Sequence, residues 1–402
     1  MRQQIARMIP AGHLWVWLLC ATAGLEGCYP SDRLPAVPPE LQAQAEVAGL
    51  PGVRYMAVNM ADFIRDAEES ARRELEQRAQ AGEPGPLPPV HFLAVSGGGD
   101  NGAFGTGLLN GWTASGTRPE FKLVTGISTG ALIAPFAFLG QKYDPVIKEI
   151  YTGISSKDIL EERNFLAALL ADAMADNAPL WNLTKKYVTE QLLQEIAVEH
   201  AKGRMLLVGT TNLDARQGVI WNMGKIAASG HPDALHLFRS ILIASAALPA
   251  AFPPVFIDVE VKGQRYHEMH VDGGASSQVF VYPPQLHLGK RAAETGMQRD
   301  RHLYVIRNAR LDPDWAQVER RTMSIAARAI TSLIQTQGRG DLFRIFAIAQ
   351  RDQVDFNLAY IPETFKAGHK EEFDNPYMRQ LFQLGYDLAK NGYDWTKQPP
   401  GY

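Results

Sequence analysis

Ser128 stands in the pentapeptide Gly126-Ile127-Ser128-Thr129-Gly130, which fits the pattern G-x-S-x-G. An apolar stretch precedes it and a helix-forming stretch follows, which is the setting of a nucleophile elbow. Such a turn is so tight that glycine is needed at Gly126 and Gly130, and it pushes the serine hydroxyl clear of the sheet. The pattern predicts a nucleophilic serine. Because the chain has 35 glycines, a plain strand-to-helix turn explains the pentapeptide equally well when it is taken alone.

A glycine-rich loop, SGGGDNG at 96–102, also follows an apolar stretch and opens a predicted helix. Successive glycines can aim backbone N–H groups at one point, as an oxyanion hole requires. A phosphate-binding turn for a nucleotide is the competing interpretation, but no Lys-Ser/Thr pair follows the glycines. We therefore predict an oxyanion hole built from Gly97, Gly98 and Gly99, with Asp100 beside them.

Asp272 lies in the run Val271-Asp272-Gly273-Gly274, just after a polar patch. An aspartate is a weak base in water, with a pKa of about 3.9. To activate a serine it needs partial desolvation and a hydroxyl within hydrogen-bond reach. An ordinary Asp-Gly turn is the alternative for this dipeptide. The motifs at 97–99 and 126–130 favour a general base.

A histidine would be the other candidate base. His267 and His270 come just before Asp272, and we interpret them as surface or packing residues. In α/β-hydrolases the triad histidine follows the acid, and the candidates after Asp272 are His287, His302 and His369. None of them has a recognisable catalytic context. No cluster of His, Cys and carboxylate residues has metal-ligand spacing, so we predict no metal and no other cofactor.

The order of these motifs resembles the patatin-like phospholipase family over 90–308. Additional likeness lies in the runs ASAALP at 244–249 and FPP at 252–254. The resemblance implies a three-layer α/β fold, with a central, mostly parallel sheet covered by helices. It also implies a Ser128–Asp272 dyad in which Ser128 is acylated and Asp272 is the base. The implied activity is that of a phospholipase A or lysophospholipase, a serine hydrolase that cleaves acyl esters of lipids.

Asn101 departs from the family pattern, in which the loop usually carries Arg or Lys at this position. The positive charge that helps an oxyanion or a lipid phosphate is therefore missing from the loop. Neutral esters and lysolipids fit as well as diacyl phospholipids. Two other functions also stay open: acyl transfer from Ser128 to an acceptor other than water, and a lipid-binding envelope scaffold without catalysis.

The elements around the motifs follow α/β order. Strands are predicted at 90–95, 123–125, 205–210, 219–223, 255–261 and 302–307. Helices are predicted from the glycine loop to 114, from 129 onward, and at 183–200 and 235–246. After Asp312 the chain is predicted to be mostly helical, at 316–335, 342–350 and 376–390, with a strand at 354–360. We assign 90–310 to the catalytic domain and 311–402 to a helical part packed on it.

The first 27 residues are typical of an export signal. Arg2 and Arg7 are basic, and the apolar run at 14–25 is shorter than the roughly 20 residues of a spanning helix. The run Leu25-Glu26-Gly27-Cys28 resembles a bacterial lipobox, with a signal peptide cut near Gly27 as the alternative. We predict lipidation of Cys28 and a membrane-anchored lipoprotein of the bacterial cell envelope, facing the periplasm or the exterior.

Residues 28–89 are predicted to form a Pro-rich tether up to 51, a solvated helix at 61–80 and a Pro/Gly linker at 82–89. The whole chain of 402 residues is 46% hydrophobic, enough for a sizeable core. Its net charge of -3, from 40 basic and 43 acidic residues, argues against a nucleic-acid partner. The predicted partners are a lipid or phospholipid substrate and, through Cys28, a membrane.

Overall fold

A ten-stranded sheet dominates the part of the chain that the structure describes. The structure is a computed structural model, and the described residues are 33–56, 60–83, 85–159, 161–162, 175–313, 315–368 and 370–402. The predicted export signal and Cys28 lie outside them. Residues 36–402 form one compact unit.

Twelve strands occur among the described residues. In chain order they are β1 Glu46–Val47, β2 Arg54–Met56, β3 Val90–Val95, β4 Leu123–Ile127, β5 Glu161–Glu162, β6 Ala175–Asp176, β7 Met205–Asn212, β8 Gln217–Asn222, β9 Val255–Val261, β10 Gln264–Asp272, β11 Arg301–Arg307 and β12 Asp355–Tyr360. Strands β5 and β6 pair only with each other.

The centre of the large sheet is parallel. Strands β7, β4, β3, β11 and β12 lie side by side in that order and run the same way. Antiparallel pairs extend it through β10, β9 and β1 on one path and through β8 and β2 on another. Strands β9 and β2 share the direction of the central five, so most strands are parallel. The predicted α/β fold with a mostly parallel sheet covered by helices is confirmed.

Eleven α-helices among the described residues cover the sheet. They are α1 Ala61–Gln80, α2 Gly102–Ala114, α3 Thr129–Leu139, α4 Asp144–Gly153, α5 Ala178–Tyr187, α6 Glu190–Ala201, α7 Met223–Ala228, α8 Ala234–Ala246, α9 Leu288–Thr295, α10 Thr322–Arg351 and α11 Asn375–Ala389. The helix predicted at 183–200 is two helices, because Thr189 caps α6 through a bond from Leu192 N–H. The helices predicted at 316–335 and 342–350 are one continuous helix, α10.

The segment predicted as a tether differs in the structure. Residues Val37, Ala45, Val47 and Leu50 are buried in the core, and β1 pairs with β9. The prediction of a spacer is therefore wrong for residues 36–51, because apolar side chains between the prolines pack against the domain.

Helix α1 agrees with its predicted bounds but is more than a solvated helix. Phe63 is buried, and Ser70 donates a hydrogen bond to the carbonyl of Gly203. The carboxylate of Glu74 pairs with Lys122 at 2.7 Å and Arg299 at 2.6 Å. These contacts attach α1 to the sheet.

A buried polar network crosses the sheet at β10. Arg54 donates to Glu268 Oε2 at 2.5 Å and to the carbonyl of Ala45 at 2.6 Å. His270 joins Glu268 through Nε2 at 3.1 Å and Thr210 through Nδ1 at 2.9 Å. Burial alone would raise the pKa of Glu268, but the bond from His270 and the charge of Arg54 lower it to about 2. The network links the chain before β3 to the strand that ends at Asp272.

Replacing Glu268 with Gln should lower the free energy of unfolding by about 3–5 kcal/mol, because Arg54 then keeps a buried charge without its partner. Urea unfolding at neutral pH measures this. Glu260→Gln is the matched control: Glu260 is an exposed acid on β9, and its replacement should change stability by less than about 0.5 kcal/mol. Equal losses in both variants would contradict the network's role.

Candidate active site

Ser128 lies at the sharp turn between β4 and α3. Its φ of 56° and ψ of -127° form a combination that residues with a side chain rarely adopt. A Cβ on Gly126 would lie 2.3 Å from the carbonyl oxygen of Gly130, and one on Gly130 would lie 2.2 Å from that of Val95. Only glycine fits at these two positions, so the turn has the geometry of a nucleophile elbow.

Ser245, near the end of α8, holds this turn in place. Its hydroxyl accepts a hydrogen bond from Ser128 N–H at 3.0 Å and donates to the carbonyl of Gly209 on β7 at 2.7 Å. Ser245 is completely buried. In the sequence it belonged only to a run resembling a family motif, and its small size at a helix end was the available signal. Its link between the elbow and β7 was not predicted.

The register of the sheet brings Asp272 to Ser128. Ile127, at the end of β4, lies opposite Gly209 of β7, and Asp272, at the end of β10, lies opposite Thr210. Because β8 occupies the other edge of β7, β4 and β10 lie end to end along one edge, with their carboxyl ends facing. The Ser128 hydroxyl and the Asp272 carboxyl come together there, close enough for the hydroxyl to lower the pKa of the carboxyl.

The Asp272 carboxyl is nearly inaccessible, at 4% exposure. Burial raises its pKa to about 6, although hydrogen bonds from Ser128 and from Gly274 N–H act in the opposite direction. The Gly274 bond is 2.6 Å long and ends on Oδ1. A carboxylate with a pKa near neutral, in contact with a hydroxyl, is equipped to take a proton from it.

The glycine loop offers fewer free donors than the sequence predicted. Gly97 N–H donates to the carbonyl of Gln278 at 3.1 Å. This N–H group is therefore occupied, and the prediction that Gly97 donates to the oxyanion is wrong. Among the described residues, no acceptor is recorded for the N–H groups of Gly98 and Gly99, and both line the cavity that Ser128 faces. Asp100 lines it as a buried residue. Since a carboxylate would repel an oxyanion, only the Asp100 backbone suits that role.

Asn308 and Asn101 fix the ends of the glycine loop. Asn308, completely buried after β11, donates from its backbone to Ser96 Oγ at 2.9 Å and from its side chain to the Ser96 carbonyl at 3.0 Å. The Oδ1 atom of Asn101 accepts a bond of 2.5 Å from the Tyr377 hydroxyl on α11. Asn308 was not predicted, because a single asparagine outside a motif gives no signal.

The cavity in front of Ser128 has a volume of about 870 Å³. Its wall is mostly apolar and comes from α3, α4, α5, α8, α10, α11 and loops next to them. Members of that wall are Leu132, Phe136, Ile150, Ile154, Leu180, Val188 and Leu242. A deep apolar wall with a few polar groups at one end suits an acyl chain with a reactive head.

No histidine lines the cavity among the described residues. His267 pairs with Asp258 at 2.8 Å, and His302 pairs with Asp355 at 3.0 Å. His369 lies outside the described residues. In the same described part of the chain, no group of three metal-ligating side chains occurs. No described helix is long and apolar enough to cross a membrane.

A family model and a solved structure are each similar to part of this chain. Residues 93–283 match the family model described as patatin-like phospholipase, a range that includes both Ser128 and Asp272. Among solved structures, the chain is similar to VipD from Legionella pneumophila, with 13% identity and a TM-score of 0.35. That match covers 75% of this chain and 66% of the VipD chain, slightly under two thirds. No curated protein matches the chain. The chain is therefore similar to the patatin-like phospholipase family over residues 93–283.

Proposed function

We propose that this protein hydrolyses acyl esters of lipids through an acyl-Ser128 intermediate, with Asp272 as the general base. One observation carries the proposal: beside a largely apolar cavity, the Ser128 hydroxyl lies close enough to the Asp272 carboxyl to lower its pKa, which burial raises to about 6. The described histidines all lie away from this cavity, which favours a dyad over a triad.

In the first half of the reaction, Asp272 takes the hydroxyl proton as Ser128 Oγ attacks the ester carbonyl carbon. The carbonyl π electrons move to the oxygen, where the N–H groups of Gly98 and Gly99 and the N-terminus of α3 stabilise the negative charge. When the tetrahedral intermediate collapses, the bond to the alcohol oxygen breaks. The alcohol leaves with the proton from Asp272, and the acyl group stays on Ser128.

In the second half, a water molecule attacks the acyl carbon and gives a proton to Asp272. The resulting intermediate collapses, the bond to Ser128 Oγ breaks, and the serine recovers the proton from Asp272. The free fatty acid is released. Asp272 acts first as a base and then as an acid in each half, which requires a pKa close to the working pH.

The cellular place of the activity is a proposal from the sequence alone. We propose that the chain is exported and lipidated at Cys28, because the basic start, the short apolar run and the Leu-Glu-Gly-Cys run together resemble a lipoprotein signal. An anchor of this kind would hold the domain close to its lipid substrate.

Replacing Ser128 with Ala should lower kcat for a soluble acyl ester by about 10⁴-fold or more. Asp272→Asn should lower it by about 10²- to 10⁴-fold, the usual range for loss of a general base. Ser276→Ala is the matched control, since Ser276 bonds to Thr211 rather than facing the cavity. Fluorophosphonate labelling read by mass spectrometry locates the nucleophile. Turnover that survives in both site variants would contradict the dyad.

Thermal unfolding separates lost chemistry from lost folding in Asp272→Asn. Because the pKa of Asp272 is raised to about 6 in the folded state, the folded chain binds this proton more tightly than the unfolded chain. Above pH 6 the ionised carboxylate therefore destabilises the fold. Asparagine carries no charge, so Asp272→Asn should have a higher Tm than the unaltered protein. This difference in Tm should be larger at neutral pH than near pH 4.

The rate should depend on pH through Asp272. Only the carboxylate can accept the serine proton, so kcat/KM should fall about tenfold for each pH unit below about 6 and level off above it. An ordinary aspartate would place this limb near pH 4. The rate of fluorophosphonate labelling of the unaltered protein should follow the same curve. A flat profile from about pH 5 to 8 would exclude Asp272 as the base.

Replacing Cys28 with Ser should abolish incorporation of labelled fatty acid in a bacterial host and move the protein from the membrane fraction to the soluble fraction, because a serine cannot form the thioether of a lipoprotein. Cys20→Ser is the control, since Cys20 is predicted to leave with the signal. Membrane association that persists unchanged in Cys28→Ser would contradict lipidation at this residue.

A further inference from the structure

Arg307 is a buried cation in the wall of the active-site cavity. It ends β11, is 3% exposed and lines the same cavity as Ser128. Its Nη1 reaches the carbonyl oxygen of Gly97 only at 3.5 Å, and its Nε has no hydrogen-bond partner. A guanidinium held out of water with most of its donors unused is costly unless an anion completes the site.

The acid that acts on Arg307 through its charge is Asp341, and that carboxylate is occupied by other donors. Its Oδ2 accepts from Gln278 N–H at 2.6 Å and from the Ser277 hydroxyl at 3.0 Å. Its Oδ1 accepts from Arg344 at 2.7 Å. Among the described residues, no ion pair of Arg307 is recorded. Asp341 therefore stabilises the charge of Arg307 from a distance, without a direct ion pair to the guanidinium N–H groups.

Helix α10 is shaped to hold this guanidinium. A Cβ at Gly338 would lie 2.5 Å from Arg307 Nη2, so the glycine makes the room that the side chain fills. Glycine inside a helix costs about 1 kcal/mol relative to alanine, and here the close approach explains it. Burial lowers the pKa of Arg307 to about 10, which leaves the group charged at neutral pH.

Arg307 and Ser128 follow two strands of the sheet, β11 and β4, that are separated by β3. Ile306 lies opposite Val95, and Val95 lies opposite Gly126, so β11 and β4 are two strand spacings apart, about 10 Å. In a glycerophospholipid, five bonds join the sn-2 ester carbonyl carbon to the phosphorus and six bonds join the sn-1 carbonyl carbon to it, about 6–8 Å of extended chain. Arg307 Nη1 lies 3.5 Å from the Gly97 carbonyl oxygen, and a Cβ on Gly97 would lie 3.1 Å from Ser128 Cβ, so the guanidinium and the serine flank the same loop residue.

We propose that Arg307 binds the phosphate of the lipid substrate, so that glycerophospholipids and lysophospholipids are preferred over neutral esters of the same acyl chain. The proposal rests on the proposed function. Arg307 supplies the positive charge that the glycine loop lacks at Asn101. The side chain of Asn101 accepts a hydrogen bond from Tyr377. The planar fork of arginine can hold two phosphate oxygens at once, while the acyl carbonyl lies beside Gly98 and Gly99.

A binding experiment on the unaltered protein tests this without any variant. The probes are a 1-O-alkylglycerol and the 1-O-alkylglycerol 3-phosphate of equal chain length, whose ether bonds resist hydrolysis. Calorimetric titration should give the phosphate probe a Kd lower by about 10- to 100-fold, the effect of a hydrogen-bonded charge pair. Equal Kd values would overturn the proposal. Inorganic phosphate should bind far more weakly; binding as tight as that of the phosphate probe would show a site for free phosphate instead.

A kinetic experiment compares two substrates of equal chain length, a lysophospholipid and a monoacylglycerol. In Arg307→Gln, the ratio of kcat/KM values, phospholipid over neutral ester, should fall by about 10- to 100-fold, mainly through KM for the phospholipid. Arg307→Lys should recover part of the ratio. Arg310→Gln is the matched control, because Arg310 also lines the cavity but pairs with Asp312 at 2.9 Å; its ratio should stay within about twofold.

A purely structural role for Arg307 would lower both activities together and leave the ratio unchanged, which would overturn the proposal. An equal fall of the kcat/KM ratio in Arg310→Gln would also overturn the proposal, since any positive charge lining the cavity would then have the same effect. If the unaltered protein cleaves neither substrate, the proposed function fails. The calorimetric comparison, repeated on Arg307→Gln, still decides whether Arg307 holds a phosphate: the preference for the phosphate probe should be lost in this variant, and a preference that persists would overturn the proposal.

Discussion

The contact between the Ser128 hydroxyl and the buried Asp272 carboxylate is the constraint on which the rest of the site depends. It exists because β4 and β10 approach each other head-on along one edge of β7. The end of α8 holds both partners: Ser245 accepts the N–H of Ser128, and the Ala247 carbonyl accepts the N–H of Asp272 at 2.9 Å. Ser245 and Ala247, on either side of the last helical residue, thus fix the position of nucleophile and base together.

Two buried carboxylates on β10 show how environment divides structural from chemical roles. Glu268 faces Arg54 and His270, and these partners lower its pKa to about 2. Among the described residues, the hydrogen-bond donors recorded for Asp272 are neutral, so the effect of burial is the larger one and its pKa rises to about 6. The first group stays ionised and holds strands together, whereas the second can exchange a proton near neutral pH. A cation beside Asp272 would strengthen the fold and weaken the base.

Local pattern was enough for much of the fold. Strands Val90–Val95 and Val255–Val261 were predicted to the residue, because apolar runs and clean alternation identify strands directly. Strand Gln264–Asp272 was missed, because its polar residues find their partners on distant segments and therefore resemble a surface patch. The assignment of 36–51 as a spacer failed for the same reason. The prolines of this segment suggested an extended spacer. Its apolar residues are buried because β1 pairs with β9, a strand about 200 residues later in the sequence.

The motifs located the reacting groups, but they could not locate the residues that complete the site. Ser245, Asn308 and Arg307 lie outside the three motifs that carry Ser128, Asp272 and the glycine loop, and each contacts a loop more than a hundred residues away. Parallel strands explain why this matters for substrate preference. Their carboxyl ends meet at one edge, so a charge absent from the loop after β3, at Asn101, can be supplied by the neighbouring strand β11. A motif that lacks its basic residue therefore does not imply a site that lacks a cation.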